Sequence, residues 1–150
     1  MALRLPLKQD QIEAGKEIRL KLRSWQQADA ALRRMKDVLP GLDAEVSLLK
    51  VAAINTLYGT NLYAFSRMAD HIASTMRRRL PVEPSLVERL ACVPAISGQK
   101  GWRHFSFASK FCHFFVDENA FPIYDTWAPW TVNHHLGPGR DPDPQRPYTA

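Results

Sequence analysis

Apolar residues recur every three or four positions through most of the chain, and this spacing constrains the fold more than any other feature. It matches the 3.6-residue turn of an α-helix, where such positions share one face. In the clearest of these predicted helices, Thr60 or Asn61 is expected to be the cap. Its apolar positions are Leu62, Phe65, Met68, Ala69, Ile72 and Met76. No two segments combine alternating apolar residues with a hairpin turn. The sequence therefore predicts an all-α fold, a compact domain of about six helices.

The same spacing predicts further helices on both sides of this one. In chain order they are Trp25–Leu39, a helix between Asp43 and Gly59, a short helix from Ser85, Phe105–Val116 and Asp125–Leu136. Ser24 and Asp43 are expected as N-caps and Gly59 as a C-terminal stop. The inward stripes are expected at Trp25, Ala28, Leu32, Met35 and Leu39, and at Val46, Leu49, Ala53, Ile54 and Leu57.

These elements divide the chain into three parts. Residues 1–23 mix charged side chains with sparse Leu and Ile, which predicts an N-terminal arm or a frayed helix. Residues 24–136 form the predicted helical domain. Residues 137–150 are a proline-rich tail that cannot continue a helix. That tail is either a mobile terminus or, as we prefer, the point where a longer protein has been cut.

The composition is that of an ordinary globular protein, with 45% hydrophobic and 23% charged residues. No apolar run approaches the roughly 20 residues of a membrane span, and no signal peptide is visible. We therefore expect a cytoplasmic monomer without a membrane partner. Cys92 and Cys112 are expected to be reduced thiols in apolar surroundings, with a disulfide as the alternative.

The chain is basic, with a formal net charge of +5 and a pI near 9.5. This balance favours a polyanionic partner, with nucleic acid first; the alternative is a basic surface without a role. A metal site is not indicated. His134 and His135 are adjacent and would point about 100° apart on a helix, and no three ligands share one face. No cofactor is expected.

One lysine lies inside an otherwise apolar predicted helix. Phe107, Phe111 and Phe114 share one face of that helix, and Lys110 flanks this stripe. An amine against aromatic surface is partly desolvated, which lowers its pKa and makes the neutral, nucleophilic form more accessible. The alternative is a lysine whose stem covers the core while its ammonium reaches water.

An aspartate begins the next predicted helix, fifteen residues after Lys110. Asp125 could simply be an N-cap that accepts backbone hydrogen bonds. It could also supply the negative charge that stabilises a cation formed on a bound substrate. The residue type alone leaves both roles open.

Together, the lysine helix and the approach to the aspartate resemble the helix-hairpin-helix (HhH-GPD) DNA glycosylase superfamily. Ser109-Lys110 matches the position of its lysine, and Ile123-Tyr124-Asp125-Thr126 that of its aspartate. The strings Phe121-Pro-Ile-Tyr-Asp125 and Lys50-Val-Ala-Ala-Ile-Asn-Thr-Leu-Tyr-Gly-Thr60 are most similar to bacterial 8-oxoguanine-glycosylase-like proteins. The resemblance covers roughly residues 46–136 and is strongest over 105–128.

This resemblance implies a base-excision DNA repair enzyme of the HhH-GPD fold, possessing glycosylase and Schiff-base lyase chemistry. Lys110 would attack the sugar C1′ and Asp125 would stabilise the developing charge. The damaged base would be flipped out of double-stranded DNA into a pocket that Trp127 or Trp130 lines. The alternative for both tryptophans is helix packing.

In two respects the sequence departs from the superfamily. The spacing between Lys110 and Asp125 is about three residues shorter than in the endonuclease III-like branch, and the segment before the lysine differs. Characterised members have a Leu-Pro-Gly-Val-Gly hairpin directly before the lysine, where this chain has Phe105-Ser-Phe-Ala-Ser. A basic loop farther upstream could contact DNA phosphates in its place, or could be an ordinary surface loop. The candidate DNA-binding residues in this loop are Gly98, Lys100, Gly101, Arg103 and His104.

Two other functions fit the same sequence. One is a module that binds nucleic acid without catalysis, which the basic loop and the Arg77–Arg79 run favour. The other is a defence-associated or protein-interaction domain that shares the fold. The second predicts weak DNA affinity that depends on charge alone and disappears at moderate salt.

Overall fold

The computed structural model describes residues 6–125 and 127–136. Helices account for most of this part of the chain and confirm the predicted compact all-α domain. They are α1 (Gln9–Lys21), α2 (Arg23–Val38), α3 (Ala44–Tyr58), α4 (Phe65–Met76), α5 (Pro84–Ala91), α6 (Phe105–Phe115) and α7 (Trp127–Leu136). None of these helices has the length and apolar character that crossing a bilayer would require. The predicted tail, 137–150, lies outside the described residues.

The core forms around α6, in which nine of the eleven residues are buried. It packs against α2, α3 and α5, and α4 packs mainly against α3. Four phenylalanines of α6 are fully or almost fully buried: Phe107, Phe111, Phe114 and Phe115. Burying a side chain of this size contributes on the order of 1.5–3 kcal/mol, so α6 is the main source of hydrophobic stability. Its central position explains why even the polar residues of α6 are withdrawn from water.

Two predicted helix boundaries are confirmed at α3. The Asp43 carboxylate accepts a hydrogen bond from the Val46 amide at 2.9 Å, which satisfies one of the free amides of the first turn. Gly59 ends the helix in the left-handed conformation, at φ 56° and ψ 45°. Glycine adopts this conformation without a steric penalty, so the chain can turn sharply after Tyr58.

Two other predicted caps are wrong. α2 begins at Arg23, so Ser24 lies inside the helix, because the Leu22 carbonyl already accepts the first helical hydrogen bonds. α4 begins only at Phe65, and neither Thr60 nor Asn61 caps it. The turn before α4 is held instead by Asn55, whose side-chain oxygen accepts from the Leu62 amide and the Thr60 hydroxyl.

The predicted inward face of α3 is also wrong in part. Leu49 and Leu57 are exposed, whereas the buried residues are Ser47, Lys50, Val51 and Ile54. Apolar residues occur all around this helix, so their spacing does not fix which face turns inward. Lys50 is accommodated in the core because its ammonium donates to the Gly41 carbonyl at 2.9 Å and lies 4.9 Å from the centre of the Phe115 ring.

The predicted loop between α5 and α6 contains a small antiparallel hairpin. Its strands, β1 (Cys92–Val93) and β2 (Trp102–Arg103), have two residues each. Strands this short cannot show an alternating apolar pattern, which is why the sequence did not predict them. The segment α5–hairpin–α6 thus places a helix on either side of a hairpin.

Candidate functional site

Lys110 is buried in the middle of α6, with only 4% of its surface exposed. Its ammonium donates to the Ser106 hydroxyl at 2.8 Å and to the Ser106 carbonyl at 3.1 Å, one turn earlier in the same helix. It also lies 5.9 Å from the centre of the Tyr58 ring, on α3. The amine is therefore held by neutral groups, and its stem does not carry it out to water.

The electrostatic environment disfavours a charged Lys110. Burial lowers its pKa from the ordinary value, and the nearby Asp125 carboxylate opposes this change. Among the described residues, no carboxylate lies within the 4.0 Å of an ion pair with the ammonium. A buried amine without a paired anion is the state in which lysine is most easily deprotonated and nucleophilic.

The approach to Asp125 is fixed by side chains of α6. The Ser109 hydroxyl donates to the Tyr124 carbonyl and accepts from the Tyr124 amide, both at 3.0 Å. One turn later, the His113 ring forms a hydrogen bond of 2.8 Å with the Phe121 carbonyl. The segment 121–125 is thereby attached along the helix that carries Lys110, so both candidate catalytic groups share one support.

Asp125 itself caps α7. One carboxylate oxygen accepts from the Trp127 amide at 2.9 Å and from the Ala128 amide at 3.0 Å. The side chain remains half-buried and close enough to influence the Lys110 ammonium, without forming an ion pair. The structure therefore brings together an amine and a carboxylate from consecutive helices, at a separation beyond direct contact.

A buried tyrosine–aspartate pair, absent from the sequence-based prediction, lies next to Lys110. The Tyr58 hydroxyl donates to Asp29 of α2, and Arg19 of α1 donates to the other oxygen of the same carboxylate. Burial and this bond raise the pKa of Tyr58 above its usual value. Asp29 is a charged residue between Ala28 and Ala30, so only its helical spacing from Leu32 could have indicated that it turns inward.

His104, predicted as a DNA contact, belongs instead to this interior cluster. It is half-buried at the start of α6, where its ring interacts with the backbone of Thr60 and Asn61. Burial lowers the pKa of His104, and the charge of Lys110 lowers it further. The imidazole is thus a neighbour of the candidate nucleophile, whereas the other residues of the basic loop lie elsewhere.

The remaining predicted DNA contacts lie on the hairpin and are exposed: Gly98, Lys100, Gly101 and Arg103. Arg67 of α4 holds this hairpin, since it donates to the carbonyls of Pro94 and Lys100 and to the Gln99 side chain. Its guanidinium also lies 4.3 Å from the centre of the Trp102 ring. The hairpin is therefore a basic segment that is held to α4 and lies directly before α6 in the chain.

The two tryptophans predicted to line a base pocket lie on α7 and are largely exposed, Trp127 at 71% and Trp130 at 63%. Trp130 stacks on His134, with the ring centres 5.2 Å apart and the planes inclined by 10°. Both indoles are therefore largely open to solvent. Among the described residues, neither lines an enclosed pocket.

Two open grooves occur away from Lys110 and Asp125. One, of about 590 Å³, lies between the start of α3 and the end of α4; another, of about 380 Å³, follows the hairpin strands. Neither is lined by the lysine or the aspartate. In the part of the chain that the structure describes, no group of three His, Cys, Asp or Glu side chains is placed to hold a metal ion.

These features define an all-helical domain in which a buried lysine follows a basic hairpin. Comparison with known families then assigns the chain: it belongs to the family described as "HI_0787_N: N-terminal domain", whose model matches residues 9–119. The match includes Lys110, Tyr58 and Asp29 and ends before Asp125. The description names a domain and no activity. No curated protein and no solved structure matches the chain significantly.

Proposed function

We propose that the chain is a DNA glycosylase of the helix-hairpin-helix type, in which Lys110 is the nucleophile and Asp125 its electrostatic partner. The observation that carries this proposal is the buried Lys110 amine, held by Ser106 without a paired carboxylate. We extend the proposal to a cytoplasmic monomer that acts on a damaged base in duplex DNA.

In this mechanism the neutral Lys110 amine attacks the sugar C1′ of a flipped-out nucleotide. The new C–N bond forms as the glycosidic bond breaks, and the base leaves with the bonding electrons and acquires a proton. The new ammonium passes one proton to the ring oxygen as the C1′–O4′ bond breaks, which opens the sugar ring and leaves a protonated Schiff base between Lys110 and C1′. The Asp125 carboxylate stabilises positive charge on the sugar while the glycosidic bond breaks.

Reductive trapping tests this directly, without knowledge of the lesion. A duplex with a single abasic site presents the aldehyde on which the lysine would form its Schiff base, and borohydride makes that adduct permanent. We expect a trapped complex with the unmodified chain and none with Lys110→Ala. Trapping that survives in Lys110→Ala would refute the assignment.

Lys50 provides a matched control, because it is the other buried lysine and burial lowers its pKa as well. Its ammonium lies against Phe115 and the Gly41 carbonyl. If Lys110 is the nucleophile, Lys50→Met should trap as efficiently as the unmodified chain, with circular dichroism confirming that each variant is folded. Base release from duplexes carrying different lesions would then identify the substrate.

A second function is favoured by the role of Asp125 as the cap of α7. The Asp125 carboxylate accepts two amide hydrogen bonds and so has a structural role as a helix cap. The exposed Lys100 and Arg103 could bind phosphates without any catalysis. The chain would then be a non-catalytic nucleic-acid-binding or defence-associated domain. Gel-shift binding of DNA together with no trapping and no base release would select this function.

A further inference from the structure

Trp25, which was not among the predicted base contacts, lies close to the tyrosine ring that Lys110 contacts. Trp25 of α2 is 57% exposed, and its ring centre lies 6.4 Å from that of Tyr58. The Tyr58 ring in turn lies under the Lys110 ammonium. One exposed indole is therefore separated from the candidate nucleophile by a single aromatic ring.

The Tyr58 ring that Trp25 contacts is held from several sides. Four residues later on α2, Asp29 binds the Tyr58 hydroxyl, so the backbone that carries Trp25 is joined to the ring it contacts. On its other side, the Tyr58 ring packs against Phe114 at 5.4 Å between centres. The exposed indole therefore lies next to an aromatic ring that is packed into the core.

Basic side chains lie close to this indole in the sequence. Lys21 and Arg23, on either side of the junction between α1 and α2, are both exposed. An exposed aromatic ring beside cations is the combination with which proteins bind an unpaired nucleotide, because the ring stacks on the base while the cations attract the phosphates.

We propose that Trp25 is the stacking platform for the unpaired base of the nucleic acid that the Lys110 site takes. The ligand is a planar heteroaromatic ring attached to a sugar–phosphate chain. This assignment rests on the function proposed above, and it moves the base contact from α7, where Trp127 and Trp130 lie, to α2. The Tyr58 ring would form the inner side of the same site.

The test compares binding to two fluorescently labelled duplexes, one fully paired and one with a single bulged adenine that mimics an extruded base. The unmodified chain should prefer the bulged duplex. Trp25→Ala should reduce this preference about ten-fold, within the range that removing one stacking ring produces. Trp25→Phe, which keeps a ring, should retain most of it.

Trp130→Ala is the matched control, since Trp130 is equally exposed but lies on α7. It should bind both duplexes like the unmodified chain. The assignment is overturned if the unmodified chain shows no preference for the bulge, if Trp25→Ala keeps the full preference, or if Trp130→Ala loses as much. Trapping by Lys110 is measured separately, so a Trp25-dependent preference without trapping would reject the enzyme and retain the platform.

Discussion

The ammonium of Lys110 lies 5.9 Å from the centre of the Tyr58 ring, and the hydroxyl of that ring is bound to the buried carboxylate of Asp29. That carboxylate pairs with Arg19. The ammonium of Lys110 is held by the Ser106 hydroxyl and carbonyl and lies against the tyrosine ring. The Tyr58 ring thereby links the candidate nucleophile to α2 and α3.

Tyr58→Phe should destabilise the domain while keeping the aromatic ring in place. The Asp29 carboxylate would lose a buried hydrogen bond, and bonds to charged groups contribute about 1.5–3 kcal/mol. The free energy of unfolding, measured with urea, should fall by about that amount. Tyr63 is fully solvent-exposed on its turn, so Tyr63→Phe should leave the midpoint unchanged; an equal loss in both variants would show that the Asp29 bond contributes nothing.

Trapping by Lys110 should increase with pH, and the midpoint should lie below the ordinary lysine value of 10.5 because burial lowers the pKa. The neutral amine is the reactive form, so the rate follows its fraction. Asp125→Asn removes the charge that opposes this lowering, so the midpoint should move to still lower pH. Base release from a lesion-bearing duplex should slow at the same time, because the sugar cation loses its partner.

Initial trapping rates on an abasic duplex between about pH 6 and pH 10 give the two midpoints. An unchanged midpoint in Asp125→Asn would mean that the carboxylate does not act on the amine. Asp117→Asn, which changes a loop carboxylate that caps its own turn, is the control and should leave the midpoint where it is.

Most of the helices could be predicted because their apolar spacing is long and regular, and α6 was placed to within one residue of its observed end. The inward face of α3 could not be predicted, because Lys50 and Ser47 lie in the core while leucines of the same helix are exposed. Local pattern assigns polar residues to the surface; their burial depends on partners such as the Gly41 carbonyl that only the tertiary structure supplies.

The sequence likewise indicated only some residues of the candidate site. Lys110 and Asp125 were singled out by the resemblance, and they lie in the middle of α6 and directly before α7. Asp29 and Tyr58 come from different helices, so no sequence spacing relates them to Lys110. His104 lies in the predicted loop, directly before α6, but no local pattern shows that its ring is half-buried.

Gly101→Ala should disrupt the hairpin. A Cβ at this position would lie 2.8 Å from the Val93 carbonyl oxygen and 2.9 Å from the Ala95 amide nitrogen, closer than backbone atoms allow. Displacing this backbone should cost about 1–3 kcal/mol, as other overpacked substitutions do. Thermal unfolding measures the loss.

Gly15→Ala is the matched control for the hairpin glycine. A Cβ there meets nothing within 4 Å, on an exposed helix. Alanine has the higher helix propensity, so this variant should be stabilised, by up to about 1 kcal/mol. If Gly101→Ala unfolds no earlier than Gly15→Ala, the hairpin backbone is not packed as closely as described.

The two cysteines should differ sharply in reactivity. Cys112 is buried in α6, and burial raises its pKa to about 12, so almost no thiolate forms at pH 8. Cys92 is half-buried at the start of the hairpin. A thiol reagent at pH 8 should modify one site in the folded chain and two in denaturant. Cys92→Ala should abolish the fast reaction, whereas a fast reaction that persists would contradict the burial of Cys112.

Arg67 joins the hairpin to α4 through the hydrogen bonds of its side chain. Its guanidinium binds the segment 94–100 at both ends, and its own backbone belongs to α4. α4 packs against α3, whose last residue, Tyr58, lies against the Lys110 ammonium. A continuous path of packed elements therefore leads from the exposed hairpin to the buried amine.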